Sequence, residues 1–335
     1  MRKIGWSQWG IAAITAALLL SAVPAHAQVM NDVYGESEAD TYDGSRSDET
    51  RLENVEASVL EQVRSGMERL AGKEIELDFA ADASGTLTIY GKDNRNYAKV
   101  YQDGLMTIEV TIPYTDLGER ERTAAEKAIR GLDGKNKFTI TRAVRTMDSN
   151  SPTIRSQLYG KGVWVSLKNS IVENVSLDYP LTKTDKKMST RAQQAVARMS
   201  AAAGVKAPKL TTATRYKSQD ENVWILQDPN MNVLVTVGAK TGNIWGVAFN
   251  EYANDGEAAD KAAAKLTKET AVALAAPVVK QIFGLNLTGY GMKRDKDDPS
   301  ILLFTKRGQP TVEGFLNGKG KFNTFKVTPA TGAKE

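Results

Sequence analysis

Acidic side chains are the groups in this chain whose type and spacing could support a reaction. They lie in polar, turn-like stretches: Asp220, Glu221, Asp228, Asp255, Glu257, Asp295, Asp297 and Asp298. Two carboxyl groups that face one glycosidic bond can provide the acid and base of glycan hydrolysis. Acids in turns more often cap the turn or keep it solvated, so we interpret this set as loop residues. A carboxylate-dependent hydrolase of cell-wall glycan is the alternative function.

Other common catalytic groups are scarce. The chain has no cysteine, and its only histidine is His26, which lies in a segment that we expect to be removed after export. The mature chain would then lack a Ser-His-Asp triad, a Cys-His dyad and a histidine-ligated zinc site. Neither Gly-x-Ser-x-Gly nor Ser-x-x-Lys occurs. We predict that the protein is not an enzyme and uses no cofactor and no metal.

The N-terminal residues have the features of an export signal. Arg2 and Lys3 precede the apolar run Ile11–Val23, and Ala25-His26-Ala27 fits a small-x-small cleavage site. Roughly 13 apolar residues are fewer than the ~20 that span a bilayer. We therefore expect a cleaved signal peptide over 1–27, no membrane span after cleavage, and a secreted or cell-envelope location. The polar, acidic residues 28–48 predict a disordered leader.

The overall charge argues against a nucleic-acid partner. The chain has 44 basic and 40 acidic residues, whereas nucleic-acid binding usually requires a concentrated basic surface. One lysine-rich run, Lys183–Lys187, could contact an anionic wall polymer. A short run of this kind between domains is more often a solvated linker, which is the interpretation that we favour.

Three tryptophans are the candidate binding residues. Trp164, Trp224 and Trp245 each lie in a predicted strand, where exposed rings could stack on a sugar or contact a protein partner. Large aromatic residues on half-buried strands usually fill the core. We expect Trp224 and Trp245 to be mainly core residues. The core interpretation is weaker for Trp164, because lysines flank its strand.

Apolar periodicity gives the elements that position these residues. Spacings of three and four predict four helices, each ending near a glycine: Leu52–Leu70 before Gly72, a second from Asp116 to Gly131 or Gly134, Met188–Met199 before Gly204, and Val272–Ile282 before Gly284. Short alternating runs after each helix predict strands. The clearest run, Val223–Phe249, reads as three strands joined by two tight turns.

The recurring order of one helix and then a meander predicts an α+β fold with internal repeats. We expect repeated units of one helix packed on a small antiparallel β-sheet, grouped in two lobes. Two degenerate units would occupy 49–180 and two more would occupy 186–335.

The turn after the strand Val233–Val237 carries a family resemblance. The pattern Val-Asp-Ala-x-Thr-Gly-x-Ile/Val, typical of PepSY domains, is matched by Val237, Ala239, Thr241, Gly242 and Ile244, with Gly238 at the Asp position. The chain thus resembles PepSY domains and the secreted bacterial repeat proteins of the YcdB/YcdC type.

The resemblance implies a PepSY/cystatin-like fold and a non-catalytic extracellular binding module. Similar domains occur in the propeptides of secreted metallopeptidases, so a modulator of peptidase activity is implied, with a secreted peptidase or an envelope component as partner. Gly238, Thr241 and Gly242 would be structural residues of the hairpin turn. No catalytic residue can be transferred from the family.

Overall fold

The computed structural model describes residues 49–250, 256–330 and 334–335. The predicted signal peptide, the predicted leader and Asp255 lie outside these ranges. The described residues divide into two compact units, 49–177 and 178–335. In the described part of the chain, no helix is long and apolar enough to cross a membrane.

The first unit is an antiparallel meander with two helices. Each strand pairs with the next one along the chain. The strands are β1 (Glu49–Thr50), β2 (Leu77–Ala83), β3 (Thr86–Gly91), β4 (Tyr97–Val100), β5 (Met106–Pro113), β6 (Ile140–Asp148), β7 (Ile154–Gly160), β8 (Val163–Lys168) and β9 (Ile171–Pro180), and the helices are α1 (Ala57–Ala71) and α2 (Glu119–Leu132).

Helix α1 packs on the middle of this meander, against β5 and β6. Its buried residues Leu60, Val63, Met67 and Leu70 recur at intervals of three and four, which places them on one helix face. The helix ends at Gly72, whose φ of 75° is the left-handed conformation that glycine adopts without strain. The predicted helix and its end at Gly72 are thus confirmed, but the helix begins at Ala57 and not at Leu52.

The second unit is also one antiparallel sheet, but its strand order is not the chain order. Its elements are α3 (Lys186–Ala203), β10 (Thr212–Lys217), β11 (Asn222–Gln227), β12 (Val233–Gly238), β13 (Ile244–Phe249), α4 (Gly256–Ala264), α5 (Lys268–Phe283), β14 (Gly291–Arg294), β15 (Ile301–Thr305), β16 (Thr311–Leu316) and β17 (Phe322–Thr328). The pairing order is β10, β11, β12, β13, β17, β16, β15, β14. Helices α3 and α5 pack on each other and on β13 and β17, and they share one core with the sheet.

The predicted fold class is wrong. Strand β5 pairs with β6 over Thr107–Pro113, and β13 pairs with β17 through Gly246, Val247 and Ala248. Both pairings join strands that were predicted to belong to separate units. The chain is therefore mostly β, with extended antiparallel sheets, and not a set of helices each on its own small sheet in two lobes. Continued pairing also satisfies backbone groups that each small sheet would leave open along its edges.

Strands β1 and β7 and helix α4 were not predicted, and one run was misinterpreted. Strand β7 contains Arg155, Ser156 and Gln157, which interrupt the apolar alternation, and α4 is short and alanine-rich. The run Lys183–Lys187 is not a linker, because its last two lysines begin α3 and Asp185 caps that helix by accepting the amide of Met188 at 2.8 Å.

Candidate functional site

The sheet of the first unit has two different faces. Ala80, Ile89, Ala98 and Ile108 pair across β2 to β5 and are buried. Ile108 lies against α1, since a Cβ on Gly66 of that helix would come within 2.1 Å of its side chain. Because successive side chains of a strand alternate between faces, the residues next to these four point away from the helix.

The outward-pointing residues include a row of three aromatic rings. Phe79 and Tyr90 stack with their ring centroids 4.7 Å apart and an interplanar angle of 18°. Tyr90 and Tyr97 follow at 6.3 Å, and the ammonium group of Lys99 lies 5.5 Å from the Tyr97 centroid. All three rings are half-buried. The row crosses β2, β3 and β4 as a cross-strand ladder.

A second aromatic group lies on the same face at the far strands. Trp164 of β8 is directly opposite Tyr159 of β7, and Tyr159 is opposite Arg142 of β6. The Arg142 guanidinium lies 5.1 Å from the centroid of the buried Tyr159 ring, while Trp164 is half-buried. This candidate binding residue thus lies beside a cation-π pair on the face opposite the helices.

We call this surface the open face and define it by Phe79, Tyr90, Tyr97, Tyr159 and Trp164. At the usual strand spacing, Tyr97 on β4 and Tyr159 on β7 are three strand spacings apart, or about 14 Å in the direction across the strands. The side chains between them are mainly polar and half-buried: Glu109, Thr111, Thr146 and Gln157. The open face therefore has aromatic groups on both sides of a polar centre.

The other two tryptophans do not belong to this surface. Trp224 and Trp245 lie in the second unit, are half-buried and pack against its core. The ring of Trp224 contacts that of Tyr179 at 5.4 Å, and Arg215 lies 5.5 Å from its centroid. The indole N–H of Trp245 is buried and has no hydrogen-bond partner among the described residues. Their positions agree with the core role expected for both.

The PepSY-like turn residues hold the β12–β13 hairpin and neighbouring backbone. Gly242 has a φ of 66° and donates its amide to Gly238 at 2.9 Å. The Thr241 hydroxyl donates to the carbonyl oxygen of Glu335 and accepts the Asn243 amide at 3.2 Å. A Cβ on Gly238 would lie 2.0 Å from that Glu335 oxygen, which explains why the position has no room for the expected Asp.

Several of the candidate catalytic carboxylates are engaged by their own loops. Asp228 accepts the Val233 amide at 2.8 Å, Asp295 accepts the Asp297 amide at 2.9 Å, and Asp298 accepts the Ser300 amide at 3.0 Å. Two more form ion pairs, Glu221 with Lys334 and Glu257 with Lys261. Among the described residues, no group of three or more acidic side chains is placed to hold a metal ion.

Asp178, a carboxyl group outside that set, has a perturbed pKa. Burial raises the pKa of Asp178 above its ordinary value, and the Thr214 hydroxyl, which donates to Asp178 at 2.6 Å, opposes part of the rise. A raised pKa means that the folded chain binds this proton more tightly than the unfolded chain. The stability contribution is present below the unfolded-state pKa and is lost as the pH rises through the folded-state value.

We therefore expect Asp178→Asn to stabilise the protein at pH 7, on the order of 1 kcal/mol, because the amide is uncharged and can still accept the Thr214 hydrogen bond. The gain should disappear at about pH 3, where the native carboxyl group is also protonated. Thermal unfolding of both proteins between these pH values measures the difference. Asp297→Asn, which changes an exposed carboxyl group, is the control. An Asp178→Asn gain that does not change with pH would contradict the explanation.

The aromatic ladder was missed by sequence analysis, although its signal was present. Tyr90 and Tyr97 adjoin the buried Ile89 and Ala98 in sequence, so strand alternation places them on the opposite face. Comparisons with protein-family models, with curated proteins and with solved structures gave no match, so the function of this chain is inferred from the geometry of its own residues.

Proposed function

We propose that this protein is an exported, non-catalytic binding module that holds another protein chain against the open face. The observation that carries the proposal is the pair of aromatic groups that flank a polar centre on the face opposite the helices. The resemblance to PepSY domains supports a secreted peptidase or a protein of the cell envelope as the partner. The export signal expected from the sequence fits the same location.

The energetic argument rests on incompletely buried rings. Aromatic side chains bury 150–250 Å² each when fully covered, and Phe79, Tyr90, Tyr97 and Trp164 are only half-buried. A partner that covers them removes the remaining apolar area from water. Tyr and Trp are also enriched among residues that dominate binding energy. The face therefore offers two anchor groups.

Charge on the open face favours a protein partner. Lys99 and Arg142 place cations beside the two aromatic groups, and Glu109 places an anion between them. Mixed charges of this kind give complementarity with another protein surface and fix its register. A neutral glycan would use the rings but not the charges.

The proposal predicts that Tyr90→Thr combined with Trp164→Thr weakens partner binding more than tenfold, because two anchors are lost while strand-forming residues are kept. The tagged chain from 28 to 335 would be used to capture partners from culture supernatant and from envelope extract, and the affinity of the captured protein would then be measured. Leu274→Gln, which removes an exposed apolar side chain from α5, is the matched control.

A peptidase or envelope protein that binds the native chain and the control, but not the double variant, would support the proposal, provided that circular dichroism shows both variants to be folded. Equal binding by the double variant would refute it. If the tagged chain retains purified wall glycan and captures no protein, the assignment to a protein ligand would be refuted.

A further inference from the structure

A basic cleft lies between α3 and α5 in the second unit. Its volume is about 880 Å³. Basic side chains line both walls: Lys186, Lys187, Arg191 and Arg198 from α3, and Lys280 from α5. The acidic lining residue is Asp185, whose carboxylate is engaged as the cap of α3. The cleft therefore carries a clear excess of positive charge.

The cations of α3 form one stripe. Lys187, Arg191, Gln194 and Arg198 follow the spacing i, i+4, i+7 and i+11, which places them along one face of a helix. With a rise of 1.5 Å per residue, Lys187 and Arg198 are separated by about 16 Å along the helix axis. The stripe is long enough to contact several charged groups of an extended ligand.

Backbone carbonyl groups hold the two arginines in place. Arg191 donates from Nη1 to the carbonyl oxygen of Gly242 at 2.9 Å, and Arg198 donates from Nη1 to that of Gln281. A guanidinium group has five N–H donors, so each arginine keeps further donors for a ligand. In the described part of the chain, no carboxylate forms an ion pair with any of the five basic residues.

The contacts of Arg191 and Arg198 to backbone carbonyl groups hold neighbouring elements, but they do not neutralise the charge of the stripe. The whole chain is nearly balanced, with 44 basic and 40 acidic residues. Like charges four residues apart, such as Lys187 and Arg191, destabilise a helix slightly. An unneutralised stripe of this kind is instead suited to an anionic ligand.

We propose that the cleft binds a linear polyanion that carries phosphate groups. The planar donor fork of arginine matches the oxygens of phosphate, and lysine adds a point charge. The length of the stripe favours a chain with repeated phosphates over a single ion. This site lies in the second unit and does not depend on the open face.

The test uses the full chain with inorganic polyphosphate as the probe, measured by titration calorimetry at several salt concentrations. We expect saturable binding that weakens as salt is added, since the contacts are ionic. Lys187→Gln combined with Lys280→Gln removes one cation from each wall of the cleft and should weaken binding at least about tenfold. These two changes leave both arginine contacts intact.

Lys209→Gln combined with Lys296→Gln removes two exposed lysines that do not line the cleft and should change the affinity less than twofold on this account. Equal losses in the two double variants, or no binding by the native chain, would overturn the proposal. Polyglutamate that binds as tightly as polyphosphate would overturn the assignment to phosphate. Binding to vesicles of anionic phospholipid in place of the soluble polymer would overturn the assignment to a linear chain.

Discussion

Arg145→Ala is expected to destabilise the first unit by about 3–5 kcal/mol, the usual cost of removing one partner of a buried ion pair. Arg145 lies 3.4 Å from the carboxylate of Glu121, and both side chains are largely buried. Arg145 also donates to the carbonyl oxygen of Leu70, near the end of α1. The single side chain thus connects β6, α1 and α2.

The expected loss of stability comes mainly from the Glu121 carboxylate, which remains buried without its partner. Ser156 still donates to Glu121 at 2.8 Å after the substitution, but the buried carboxylate has no cation beside it. Glu121→Gln combined with Arg145→Met should restore part of the stability, because it removes both charges. Such a recovery would show that the loss is due to an unpaired charge and not to a smaller side chain.

Urea unfolding that is monitored by tryptophan fluorescence gives the free energy of unfolding. Trp224→Phe and Trp245→Phe in a chain that starts at residue 28 leave Trp164 as the reporter, and Trp164 lies in the first unit. Arg155→Ala is the matched control: its ion pair with Asp148 is exposed and spans 3.7 Å, and it should contribute at most about 1 kcal/mol. A loss of stability for Arg145→Ala as small as the loss expected for Arg155→Ala would contradict this account of the buried ion pair.

Gly160→Ala should destabilise the same unit by about 3 kcal/mol, near the upper end of the range for overpacked sites. A Cβ at this position would lie 1.9 Å from the carbonyl oxygen of Thr139 and 2.8 Å from Cα of Ile140. Both are backbone atoms at the start of β6, so neither can move away as the end of a side chain could. The pairing of β7 with β6 at Ile140 would have to shift.

Gly131→Ala is the control with the opposite expected sign. Gly131 lies inside α2, and its Cβ would meet no atom within 4 Å. Alanine is the better helix former by about 1 kcal/mol, so this variant should be more stable than the native chain. The same urea experiment measures the change in the free energy of unfolding for both variants. Destabilisation by both substitutions would contradict the steric explanation for Gly160.

Local pattern predicted the elements well, because capping and alternation are local properties. Helices α1, α3 and α5 end at Gly72, Gly204 and Gly284, each with a φ between 71° and 75°. The pairing of strands could not be read in the same way. Gly246 pairs with Lys326 far along the chain, and nothing in either strand identifies its partner. A recurring order of helix and meander was therefore mistaken for repeated small sheets.

The candidate site was likewise predicted only in its local features and not in the contacts that depend on strand pairing. Trp164 was singled out by its residue type and by the lysines that flank its strand. Phe79, Tyr90 and Tyr97 become a row only when β2, β3 and β4 are paired in register. The basic cleft likewise needs the packing of α3 on α5, which joins Lys187 with Lys280 across a gap of many residues.

Hydroxyl-radical footprinting of the full chain, with and without the captured partner, tests the binding role of the open face most directly. Protection of Tyr90, Tyr97 and Trp164 from oxidation in the complex, with Trp224 and Trp245 unchanged, is the result that the proposed function predicts. Unchanged oxidation of these three residues in a saturated complex would contradict it, and protection confined to the second unit would place the binding surface elsewhere.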